Sequence, residues 1–94
     1  MKIIYTSHLT FRLKIRNIPD DLPREVFEQA KEHYYDNLTN HYIAIHQVGY
    51  GGKIREMAVV YDKGKDSVEI ITVHPLKMYQ KLSRINSGRW KTHE

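Results

Sequence analysis

The chain contains no cysteine, three prolines and a single tryptophan. Without thiols it can form no disulfide, no thiolate metal site and no cysteine nucleophile. No apolar run approaches the roughly 20 residues a membrane-spanning helix needs. The start, MKIIYTSHLTFRLKIR, has an early lysine but neither a long apolar stretch nor a small-residue cleavage pattern, so it does not read as a secretory leader. A cytoplasmic protein without membrane contact is the expectation. Signatures of familiar enzymes are missing as well. His33, His41 and His46 lack the HExxH spacing and read as structural imidazoles. Gly49-Tyr50-Gly51-Gly52 lacks the lysine and serine of a phosphate loop and reads as a hairpin turn. No GxSxG or Ser/His/Asp framework is present, and neither a metal nor a cofactor is expected.

Acidic residues are scarce at both ends, with none before Asp20 and none from His74 until the final Glu94. Residues 1 to 18 hold Lys2, Arg12, Lys14 and Arg16 with no acid, and the segment from His74 to His93 holds Lys77, Lys81, Arg84, Arg89 and Lys91 with none. The six acids of the first half lie between Asp20 and Asp36. Residues 1 to 47 balance at six basic and six acidic side chains, and residues 48 to 94, with nine against five, account for the formal charge of +4. If the two ends meet over one side of the fold they form a positive face, for which polyanions are the natural partners. An apolar share of 40% over 94 residues suits one domain with one core.

Lys2 to Tyr5 fits a short edge strand or a start that packs against one. In HLTFRLKIR, Leu9, Phe11, Leu13 and Ile15 alternate with polar residues, which is strand periodicity. Leu9/Leu13 and Phe11/Ile15 are also i,i+4 pairs of the kind a helix makes. Pattern alone favours the strand. Residues 22 to 35 are the clearest helix, capped by Asp20 or Asp21, with Pro23 in the first turn and Leu22, Val26 and Ala30 on one stripe. Three antiparallel strands follow, at about 41 to 48, 54 to 61 and 67 to 73. Met78 to Ile85 fits a short helix, Ser87 to Lys91 an irregular segment, and Trp90 an anchor for the tail.

The remaining chemistry belongs to His, Arg, Lys and Tyr, which can cut RNA without a metal. A base takes the proton of the ribose 2′-OH, a cation stabilises the charge developing on phosphorus, and an acid protonates the leaving 5′ oxygen. Histidine serves either proton-transfer role, and arginine holds phosphate oxygens bidentately. His74 closes the third strand and Arg55 opens the second; His8 with Arg12 comes next. Arg16, Lys77, Lys81, Arg84, Arg89 and Lys91 are the candidate RNA-binding cations. Tyr50 and Tyr79 are placed where a ring could stack on a base.

The segments HLTFRLKIRNI and LPREVFEQA resemble the opening of the small DUF4258-type domains, with His8, Arg12, Arg16 and Ile18 at the matching positions. The strands IREMAVVYD and SVEIITVHP continue the resemblance, which covers roughly residues 7 to 75. That family is similar in layout to RelE- and BrnT-like toxins, small basic ribonucleases paired with an antitoxin. The resemblance implies that His8 to Arg16 is a helix, and that an RNA-cutting site lies near His8, Arg12, Arg55 and His74.

The expected fold is α+β: two N-terminal helices packed on a three- to four-stranded antiparallel sheet, with residues 76 to 94 as a basic C-terminal extension. The expected function is a metal-independent endoribonuclease of toxin–antitoxin type, with a non-catalytic RNA-binding or protein-binding adaptor as the alternative. RNA and an acidic antitoxin protein are the expected partners, and a homodimer is allowed.

Overall fold

The computed structural model describes residues 1–93. Its elements run β1 (Lys2–Tyr5), α1 (Ser7–Ile15), α2 (Leu22–Gln29), β2 (Glu32–Asp36), β3 (His41–Tyr50), β4 (Lys53–Lys63), β5 (Ser67–Pro75), α3 (Met78–Asn86) and β6 (Trp90–Thr92). The ambiguous first segment is a helix. Thr6 caps it by accepting the Leu9 N–H at 3.1 Å. Leu9 and Leu13 go fully inside, while Phe11 and Ile15 stay 64% and 62% exposed. One i,i+4 pair is buried and the other is not, a split that helix geometry makes and strand alternation does not. The helix closes in a Schellman arrangement. Asn17 takes a left-handed φ of 53°, and the Ile18 N–H donates to the Leu13 carbonyl at 2.9 Å.

The expected helix from 22 to 35 is shorter. It ends at Gln29, Ala30 is extended, and Glu32–Asp36 forms β2. β2 has β3 on one side and β6 on the other. Two ladders of hydrogen bonds and the β-favouring Tyr34-Tyr35 pair outweigh the helical pattern of the sequence.

The sheet is also larger than expected. It has six strands in the order β1-β5-β4-β3-β2-β6, with β1 parallel to β5 and the other pairs antiparallel, so it is mixed. β3 and β4 form a long hairpin closed by Gly51 and Gly52 at φ 62° and 78°, the left-handed pair a two-residue type I′ turn requires.

Side chains alternate across the sheet, and each face has its own core. On one face Leu9, Leu13 and Val26 of α1 and α2 pack on Ala44, Met57, Val59 and Ile70. On the other, Ile43, Ile45 and Ala58 pack with Leu76, Trp90 and Ile85. The basic extension is therefore no appendage. It supplies α3, which covers part of the second face, and β6 in place of the expected irregular segment, with Trp90 only 3% exposed. Among the described residues no helix is long and apolar enough to cross a membrane.

Candidate functional site

His74 sits one residue from the end of β5, cross-strand from Ala58 and so on the α3 face. β1 pairs only with Ser67 to Ile70, so the last residues of β5, paired with β4 on one side, have no strand on the other. α1 packs on one face of the sheet and α3 lies on the other. The two cationic ends thus flank the sheet rather than meeting over one side of it. The charges of both act on His74 at the end of β5. Burial lowers the imidazole pKa below its ordinary value, and the charges of Arg84 and Arg12 lower it further. His74 is therefore neutral at neutral pH.

Beside His74 the α3 face is only partly covered. Val60 and Thr72, in register on β4 and β5, remain half-buried and open into a cavity of about 330 Å³. Ile43, Val60 and Trp90 give it apolar surface; His74, Thr72 and Arg84 border it as well. Trp90 stacks on Tyr34 with ring centroids 5.5 Å apart, and the Arg84 guanidinium carbon lies 5.3 Å from the centre of its ring.

The cavity is also lined by His41 and Thr39. His41 Nδ1 lies 2.7 Å from Asp62 Oδ1. An ionised carboxylate only accepts, so Nδ1 carries the hydrogen and Nε2 is left for another partner. His41 does not join His74 at one phosphate. Ile45 is in register with Ala58, and hence with His74. His41 lies four residues further along β3, two strands from β5. At ~3.4 Å per residue and ~4.8 Å per strand the two Cα atoms are roughly 17 Å apart.

The other sequence-based candidates divide. His8 and Arg16 are exposed one turn either side of Arg12 on α1. Arg55 is exposed but pairs with Val48, whose side chain belongs to the α1/α2 core, so Arg55 and His74 point to opposite faces. Lys77 and Lys91 are exposed.

Arg89 and Lys81 are held in internal ion pairs. Arg89 grips the buried Asp36 with two hydrogen bonds, both 2.9 Å. Burial alone would raise the Asp36 pKa, but hydrogen bonds from Arg89, the Leu38 N–H and Thr39 hold it well below the usual carboxylate range. Lys81, its side chain 12% exposed, lies 2.7 Å from Glu32 and 3.3 Å from Glu56. Burial works against the Lys81 ammonium, yet the two carboxylates raise its pKa. Among the described residues no group of three or more His, Asp or Glu side chains is arranged to hold a metal ion.

The sequence alone gives His41 as a structural imidazole and no role to Asp62, although a signal for their pairing exists. A two-residue turn at Gly51-Gly52 pairs residues whose numbers sum to 103, as Tyr50 with Lys53 and Tyr42 with Tyr61 do. The same rule sets His41 opposite Asp62. No family model matches the chain, and neither a curated protein nor a solved structure matches it.

Proposed function

We propose that the protein is a metal-independent endoribonuclease of the toxin type, acting on single-stranded RNA with His74 as its general base. The observation that carries this reading is the half-buried imidazole at the end of β5, open on the β1 side, lining one cavity with Arg84 and kept neutral by burial and by the charges of Arg84 and Arg12. A neutral imidazole can accept the proton of a ribose 2′-OH as its oxygen attacks phosphorus. Two guanidiniums stabilise the charge that develops on the phosphoryl oxygens. The bond to the 5′ oxygen breaks, that oxygen takes a proton from solvent, and a 2′,3′-cyclic phosphate remains. Arg16 and Lys77 lead away from this point as exposed cations for neighbouring phosphates. An acidic antitoxin would compete for the same cations.

The test is incubation of labelled RNA in EDTA with the wild type, His74→Gln and His8→Ala. We expect cyclic-phosphate ends from the wild type and His8→Ala, and a loss of at least about 100-fold for His74→Gln, as for removal of a general base. Cutting that survives His74→Gln would refute the assignment. A second reading, a non-catalytic RNA-binding module, is favoured by one observation: the other imidazole lining this cavity, His41, lies at its far end. RNA binding by the wild type without cutting would establish it.

A further inference from the structure

We infer that the cavity beside His74 receives one unstacked base of the RNA strand. This rests on the RNA reading above and adds the feature that would give it a sequence preference. At about 330 Å³ the cavity is near the lower limit of ligand pockets, which run about 300–1,000 Å³. It suits one small ring system rather than a peptide or a lipid chain. Its shape follows from the sheet. Ile43, Val60 and Thr72 form a cross-strand row, so the floor is a broad surface of branched side chains. α3 and Trp90 cover its surroundings but leave Val60 and Thr72 half-open. An uncovered apolar floor with a polar border is the ordinary form of a recognition pocket.

The polar groups are arranged by position. The cationic end, Arg84 with His74, is one row along β5 from Thr72, about 7 Å at strand spacing. A nucleotide whose phosphate lies at Arg84 therefore has its base over Val60. The hydroxyl of Thr72 and the free nitrogen of His41 are then groups within the cavity able to bond the base edge, whereas Thr39 and Arg89, which also line it, are bonded to Asp36. The Thr72 hydroxyl can donate or accept, so it can read the edge without a fixed charge. Single-stranded RNA is read in this way, by bases splayed from the stack.

Oligonucleotides made uncleavable by 2′-O-methylation separate this inference from the nuclease reading. The probes are hexamers of U, A, C and G, a hexamer with one central abasic residue, and free UMP and AMP. Binding is followed by anisotropy and by methyl resonances of Ile43, Val60 and Thr72. We expect those methyls to shift with the base-bearing hexamers. The abasic hexamer should bind about tenfold more weakly than its parent, a modest value for loss of one base contact. Val60→Phe, which fills the cavity, should lower parent affinity to the abasic level, and the isosteric Thr72→Val should change the order of preference among bases. Still methyls, an abasic hexamer that binds as tightly as its parent, or free nucleotides that bind the cavity more tightly than hexamers would overturn the inference. Base-dependent binding without cutting of unmodified RNA removes the nuclease reading alone; cutting with still methyls removes the pocket alone.

Discussion

Arg89 provides the sharpest distinction between a cation that binds RNA and one that holds the fold. Its guanidinium donates two hydrogen bonds to Asp36, which is 2% exposed. Arg89→Met keeps much of the aliphatic stem and removes the charge, leaving a buried carboxylate without its cation. Breaking a buried pair from one side costs about 3–5 kcal/mol. The Arg89 side chain is 30% exposed, which places the expectation at the lower end, about 3 kcal/mol. For a domain of this size each kcal/mol moves the melting temperature by about 4–8 °C, so a loss of roughly 12–24 °C is expected.

Urea unfolding followed by the fluorescence of Trp90, the sole tryptophan, measures the change next to the altered residue. Replacing both partners, as in Asp36→Leu with Arg89→Met, should restore part of the stability, because no charge is then stranded. Restoration is incomplete because Asp36 also accepts the Leu38 N–H. The pH dependence has a definite sign. The Asp36 pKa is lowered on folding, so its stabilisation is fully present above the unfolded carboxylate pKa of about 3.9 and is lost as pH falls below it. The gap between wild type and Asp36→Asn should shrink over that acid range. A loss under about 1 kcal/mol for Arg89→Met, together with weaker RNA binding, would mean that the guanidinium serves phosphate instead and would refute the structural role.

The remaining expectations are shorter. Cleavage should be flat above neutrality and fall on acidification through a pKa below the ordinary histidine value of about 6.5, because burial and the two arginines disfavour protonation of His74. Arg84→Gln should raise that pKa, which NMR titration of the His74 ring reads directly. Lys81→Met leaves Glu32 and Glu56 without their shared cation and should cost about 2 kcal/mol, between a surface and a buried pair, while the salt dependence of RNA binding stays unchanged. Lys77→Ala should do the reverse, reducing the salt slope by about 0.7 with little effect on stability in urea. Gly52→Ala puts a side chain at φ 78° and should cost about 1–2 kcal/mol by urea denaturation.

The readable parts of this chain were those decided locally. β3, β4 and β5 follow from short turns and apolar alternation, and α3 from the spacing of Met78, Leu82 and Ile85. Parts decided by distant partners were not readable. Nothing local says that Tyr34 and Tyr35 will lie between β3 and β6, so residues 30 to 35 read as more helix. Nothing local pairs β1 with β5 across more than sixty residues. Charge was misleading in the same way. Composition gives Lys81, Arg84, Arg89 and Lys91 as equivalent cations, and only the positions of Asp36, Glu32 and Glu56 show that two of them are engaged internally.

The site follows from a mismatch of strand lengths. β5 is nine residues long and β1 four, so on the β1 side the last part of β5 has no strand neighbour. The chain leaves β1 through Thr6 and at once becomes α1, which carries Arg12 along β5 on one face. It leaves β5 at Pro75 and becomes α3, which brings Arg84 back over the other face. A β1 long enough to pair through Pro75 would occupy the edge on which His74 now stands. The short strand therefore leaves His74 on an open edge between two helices on opposite faces, so that charges drawn from the two ends of the sequence both bear on one imidazole.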